Sequence, residues 1–116
     1  MIEMKSTSRE LTKVERYRLT LSPEIKTIQD LADDSVISVS AFCTFNDVNE
    51  ETGEVAQLLG ILDKDGKTAY VTQSKTFKES FMNIADIFAE DGEEFAIRKI
   101  SGTSKSGRGY VDCVLA

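Results

Sequence analysis

Between Val36 and Phe45 the sequence VISVSAFCTF alternates apolar and polar residues with period two, so this segment must form a strand with one buried face. The alternation puts Ile37, Val39, Ala41, Cys43 and Phe45 toward a core and sends Ser38, Ser40, Phe42 and Thr44 the other way. A polar loop, NDVNEETGE, separates it from a second strand, VAQLLGIL, in which Gly60 marks a bulge or a close approach of backbone. Asp65-Gly66 within DKDGK signals a hairpin turn, and a third strand, TAYVTQS, follows at once. The period then changes. Phe77, Phe81, Ile84 and Phe88 recur at helical spacing, with Thr76 and Glu79 as a capping box and Gly92 as the stop. EEFAIRKI and GYVDCVLA are two further strands, joined by the loop SGTSKSGRG.

Three strands in a meander, one helix and two closing strands is the order of a mainly β, five-stranded OB-type Greek-key barrel with its helix between strands 3 and 4. An open α+β sheet with one covering helix gives much the same pattern. The barrel reading covers residues 36–116 and leaves residues 1–35 as an N-terminal arm. Leu11, Val14 and Tyr17 stand at near-helical spacing in that arm, so it is expected to hold a short helix and no strand. Ser22 before Pro23 signals a second helix start, with Ile25, Ile28 and Leu31 recurring every three residues behind it.

At 116 residues and 41% apolar content, the chain suits one domain with an ordinary core. Its apolar stretches are strand-sized, and MIEMKSTSRE has no apolar signal-peptide region, so a cytoplasmic protein without a membrane segment is expected. Cys43 and Cys113 both fall on apolar strand faces and read as buried thiols. With no histidine, the commonest general base, the usual nucleophile triads and most catalytic zinc sites are ruled out. GTSKSGRG is no phosphate-binding P-loop, because Arg108 and Gly109 replace its Lys and Ser/Thr and a strand follows instead of a helix. DKDGK lacks the ligand spacing of a calcium loop. The expectation is a binding protein, not an enzyme, with no catalytic residues, cofactor or metal.

A net charge of −6 argues against a generic duplex-DNA binder. The charge is uneven, however. No Lys or Arg occurs from Thr27 to Asp63, where Asp30, Asp33, Asp34, Asp47, Glu50, Glu51, Glu54 and Asp63 lie, whereas Lys75, Lys78, Arg98, Lys99, Lys105 and Arg108 are spread around the later strands. By the strand alternation Phe42, Tyr70 and Tyr110 all point away from the core among polar neighbours. Rings on an outer sheet face either cover another segment or a second subunit, or stack on nucleobases regardless of sequence, at roughly 1–3 kcal/mol per base. Together with Lys75, Lys99, Lys105 and Arg108 as phosphate contacts, they form the candidate nucleic-acid-binding set.

The runs TQSKTFKESFMNIADIF and ISGTSKSGRGYVDCVLA resemble the C-terminal half of small single-stranded DNA-binding proteins encoded by phages of Gram-positive hosts. The resemblance implies an OB fold, single-stranded DNA as the partner, a role in phage replication or recombination and a place in the host cytoplasm. It leaves room for replication or recombination proteins as partners and for a homo-oligomer. The alternative reading is a phage interaction or inhibitor module that engages a host protein through the acidic side.

Overall fold

The structure, a computed structural model, describes residues 1–90 and 92–116. Among the described residues, seven strands and two α-helices follow in the order β1 (Ile2–Thr7), α1 (Lys13–Thr20), β2 (Lys26–Thr27), β3 (Val36–Val48), β4 (Val55–Asp63), β5 (Ala69–Thr72), α2 (Lys75–Ala89), β6 (Phe95–Thr103) and β7 (Gly109–Leu115), with a 3₁₀ turn at Ile28–Asp30. The strands form one curled half-barrel sheet in the order β2-β5-β4-β3-β6-β7, and β1 pairs with β3. This is the expected mainly β, OB-like arrangement, with α2 between the third and fourth strands of the 36–116 segment. The strand count is seven instead of five, because β1 and β2 join the sheet.

β3 organises the sheet through one extra residue. Val39 pairs with Asp63 of β4 but Ala41 pairs with Leu62, so Ser40 is a bulge that bends the strand. One edge of β3 carries β4 along most of its length. The other carries β6 at Val36–Val39 and β1 at Cys43–Asp47. The bulge also resets which residues share a face. Ile37 and Val39 lie in the core under α2, whereas Ala41, Cys43 and Phe45 lie in a second cluster under α1. Cross-strand rows confirm the switch: Phe42, Ile61 and Tyr70 share the α2 side, and Ala41, Leu62 and Ala69 share the α1 side. The five residues expected to be buried are all buried, but on two faces of the sheet. Simple alternation cannot see this, since an unpaired residue inverts the parity of everything after it.

The large core packs Phe77, Phe81 and Ala85 of α2 onto Ile37, Val39, Leu59, Ile61, Ile97 and Cys113. α2 starts two residues before the expected Thr76 cap: Ser74 is the N-cap, and its Oγ accepts a hydrogen bond from the Phe77 N–H at 3.2 Å. The serine wins because Thr72 Oγ1, accepting from the Ser74 N–H at 3.0 Å, already turns the chain out of β5 at that point.

The N-terminal segment is woven into the sheet and is not a free arm. β1 was not legible because only Ile2 to Lys5 alternate, too short a run to stand out before the polar Ser6 and Thr7, and its register on β3 breaks between Met4 and Ser6. α1 is the short helix suggested by Leu11, Val14 and Tyr17, and Thr12 caps it in a capping box with Glu15. Leu11 and Leu19 are buried; Val14 and Tyr17 are exposed. Leu19 reaches the sheet at Gly60, where a Cβ would meet the Leu19 carbonyl oxygen, Leu19 Cδ2 and Cys43 Sγ, each at 3.3 Å. The close approach read from Gly60 is therefore the seat of α1. The helix expected behind Ser22-Pro23 does not form. Ser22 accepts hydrogen bonds from the backbone of Glu24 and Ile25 and closes a turn, after which β-branched Thr27 takes a strand position on β5.

Candidate nucleic-acid interface

β6 and β7 pair from Ile97–Leu115 to Thr103–Gly109 and present a hairpin whose tip is Ser104–Arg108. The tip is tied internally: the Ser104 N–H donates to the Arg108 carbonyl at 2.8 Å, and Ser104 Oγ accepts from the Arg108 N–H at 3.2 Å. Gly107, at φ 82°, makes the reversal in a region that side-chain-bearing residues avoid. Lys105 and Arg108 project from this turn, and neither side chain has a carboxylate partner among the described residues.

Tyr110 stands one register position below the tip. Val111 and Cys113 turn toward the core, so Tyr110 faces out, 41% exposed, and its ring lies over its cross-strand partner Gly102. A side chain at Gly102 would collide with the phenol. The half-barrel is open between its two end strands, the short β2 paired on β5 and β7 at the other end; Ser74 Oγ to the Val111 carbonyl, at 3.4 Å, is a side-chain link across that seam. Here a cleft of about 450 Å³ opens, lined by Gln29, Ser74, Ser101, Gly102, Gly109, Tyr110 and Val111. Lys75 is exposed beside it at the start of α2 and makes only a 4.0 Å contact with Glu79.

The other expected contacts lie elsewhere. Lys99 is 4% exposed; its ammonium donates to the Leu31 carbonyl at 2.6 Å and meets Asp33 at 3.3 Å. The Ser101 hydroxyl, and then Lys99, hold the Asp33 carboxyl below its ordinary range. Lys99 is thus spent in clamping residues 31–35 onto β6 and is not free for phosphate. Its register could have warned of this, since Ile97, Lys99 and Ser101 share one face of β6. Tyr70 is half-buried on the α2 side, and burial followed by the charges of Asp63 and Asp65 pushes its phenol up. An acidic turn is a poor setting for phosphate. Phe42 is half-buried against Phe81, with ring centroids 5.0 Å apart and planes at 81°. Its expected outward position is corrected by the Ser40 bulge. Gln29 and Ser74 were not singled out in the sequence, and no local signal marks them: the fold alone brings them to the cleft.

Two further depressions lie between β1 and α2, of about 320 and 500 Å³. By contrast, the α1-side face of β4 and β5, which in OB folds carries oligonucleotides, is covered by Leu11 and Leu19. Among the described residues there is no cluster of three or more His, Cys, Asp or Glu side chains fit for a metal, and no helix long and apolar enough to cross a membrane.

Neither a curated protein nor a solved structure matches the chain. A family match does, and it extends the resemblance seen in the C-terminal half back to β1. Residues 5–115, which include the end of β1, all of β2 to β7 and the hairpin with its tyrosine and free cations, match the family described as phage single-stranded DNA-binding protein, and the chain belongs to that family.

Proposed function

We propose that this protein coats single-stranded DNA without regard to sequence, in support of phage DNA replication or recombination in the host cytoplasm, and that it acts by binding and not by catalysis. The observation that carries this reading is the juxtaposition of the exposed Tyr110 with Lys105 and Arg108 on one hairpin, at the mouth of the open barrel seam. Tyr110 supplies a flat surface on which any base stacks; Lys105, Arg108 and Lys75 supply charge for the phosphates. Stacking needs unpaired bases, and a chain of net charge −6 has little to offer a duplex beyond local cations, so single strands are favoured over duplex.

The test is fluorescence anisotropy of labelled oligo-dT at low salt, with duplex of the same length as competitor. Tyr110→Ala should weaken binding at every salt concentration by about 1–3 kcal/mol. Equal affinity for duplex and single strand would remove the stacking argument. No binding of oligo-dT would remove the reading altogether.

A further inference from the structure

The two depressions between β1 and α2 follow one another along the same three elements. Their floor is the α2-side face of β3 after the bulge, where Phe42 and Thr44 alternate with residues turned to the α1 side. β1 makes one wall. Ser6 Oγ and Thr44 Oγ1 lie 2.6 Å apart, and Ser8 Oγ accepts from the Phe42 N–H at 2.9 Å, so the wall is pinned to the floor by hydroxyls. α2 makes the other wall with Lys78, Met82, Ala85 and Ala89, spaced at helical intervals, and with Phe88 beside them. The middle of the channel is apolar and aromatic, for Phe88 stacks on Phe95 at 5.3 Å and Phe42 meets Phe81.

The two ends differ in charge. Lys5 and Lys78 stand at one end; Lys5 has only a 3.8 Å contact with Glu3, and Lys78 donates to the Gln57 carbonyl at 3.0 Å. Glu93 and Glu94 stand at the other. Arg9 on the β1 wall is neutralised by two hydrogen bonds to Glu15, at 3.0 and 2.7 Å. This groove suits a ligand with flat apolar rings, edges that hydrogen-bond to hydroxyls, and an anionic backbone confined to one end. An unpaired nucleic-acid strand that crosses the Lys5–Lys78 end and turns its bases into the channel has all three features, with its phosphates kept away from Glu93 and Glu94. A duplex, with its bases stacked inside, presents none of its rings. The face that OB folds commonly use is closed here by α1, whereas this channel keeps the half-buried Phe42 ring on its floor.

We propose that the β1–α2 channel takes unpaired bases of the bound strand against Phe42, with its sugar-phosphate passing Lys5 and Lys78, as a second contact separate from the Tyr110 hairpin. The proposal rests on the single-stranded DNA-binding reading above. It is tested on the full chain with oligo-dT of about 30 nucleotides, longer than the roughly 4–16 that one OB fold covers, carrying 5-iododeoxyuridine for photocrosslinking. Adducts are expected on peptides containing Phe42 or Phe88 as well as on Tyr110. Phe42→Leu, which keeps an apolar side chain against Phe81, should weaken binding about tenfold with the salt slope unchanged. The double variant Lys5→Ala, Lys78→Ala should reduce that slope by about 1.4. Adducts confined to the hairpin would overturn the channel and leave single-stranded DNA binding intact, even if Phe42→Leu failed to fold. An apolar peptide filling the channel without competing with oligo-dT would overturn it too. Failure of the native protein to bind oligo-dT at all would fall on the functional reading itself.

Discussion

The two faces of the β3–β4–β5 sheet are both buried, yet they are built from different materials. On one side Phe77 and Phe81 of α2 press onto Ile37, Val39, Leu59, Ile61 and Ile97; on the other Ala41, Cys43, Gly60 and Ala69 lie beside Phe45 and Leu62, with Leu19 of α1 pressed onto Gly60. Aromatic rings from α2 fill the barrel interior. On the other face it is Gly60, with no side chain, that lets Leu19 of α1 approach the strands closely. The difference teaches where a ligand can and cannot go: the α1 face is sealed by close packing, whereas the α2 side keeps a channel beside the helix and an open seam at β7.

Several variants would break or sharpen that contrast. Phe81→Ala should have the largest effect, a loss of about 3–5 kcal/mol in chemical denaturation, because Phe81 is fully buried and touches Phe42, Phe77 and Phe95. A melting temperature unchanged by it would mean that α2 does not plug the barrel. Gly60→Val attacks the other face by overfilling it. The new side chain meets the Leu19 carbonyl, which cannot swing away, and a loss of about 1–3 kcal/mol is expected.

Lys99→Met should cost on the order of 1–2 kcal/mol, since it leaves the Leu31 carbonyl without its ammonium donor. The salt slope of DNA binding should stay as in the parent protein. A slope lowered by Lys99→Met would restore Lys99 as a phosphate contact.

Acid should loosen the α1 side. The Arg9 guanidinium and the Thr12 N–H hold the Glu15 carboxyl down at about 2. Its folded value is thus below the unfolded value of about 4.3, so its stabilisation is full above that pH and fades as pH falls toward 2. Glu15→Gln should remove this part of the acid sensitivity, seen in melting temperatures between pH 5 and pH 2.5. The two thiols separate the faces at neutral pH. Burial pushes Cys43 up to about 11 and Cys113 up to about 12, so both should label slowly in the native protein. Glu15→Gln should speed labelling of Cys43, under α1, and leave Cys113, under α2, unchanged. Equal acceleration of both would show that the two faces open together.

The smallest stability effect belongs to the hairpin tip. Lys105→Ala and Arg108→Ala should change stability by less than about 0.5 kcal/mol, yet each should lower the logarithmic salt slope by about 0.7.

How much of this was legible in the sequence follows from the range of each signal. Period-two alternation, the Asp65-Gly66 turn and the aromatic stripe of α2 act over a few residues, so the strands, the helix and their order could be read directly. Tyr110 was placed correctly because β7 is regular as far as its last residues. Phe42 and Tyr70 were misplaced for one shared reason. Alternation equates the outward side of a strand with solvent, but this sheet is covered on both faces, and the Ser40 bulge exchanges them midway along β3. Lys99 shows the same limit for charge, because a basic residue in a strand reads as surface until a distant carbonyl and carboxylate, those of Leu31 and Asp33, come to meet it.

The sequence by itself determined what is local: a mainly β chain with a C-terminal helix between its strands, buried cysteines, an exposed tyrosine and a basic hairpin tip. Only the tertiary structure decided what depends on which segments meet. Pairing with β3 made Ile2–Thr7 a strand and gave the β1–α2 channel its wall, although four alternating residues followed by Ser6 and Thr7 are too short a signal to specify a strand. Packing at Gly60 made α1 a lid over one sheet face. The failure of the end strands β2 and β7 to pair left open the seam where Gln29 and Ser74 meet Tyr110. Each of these depends on contacts between residues far apart in the chain, whose free energy no short window of sequence contains.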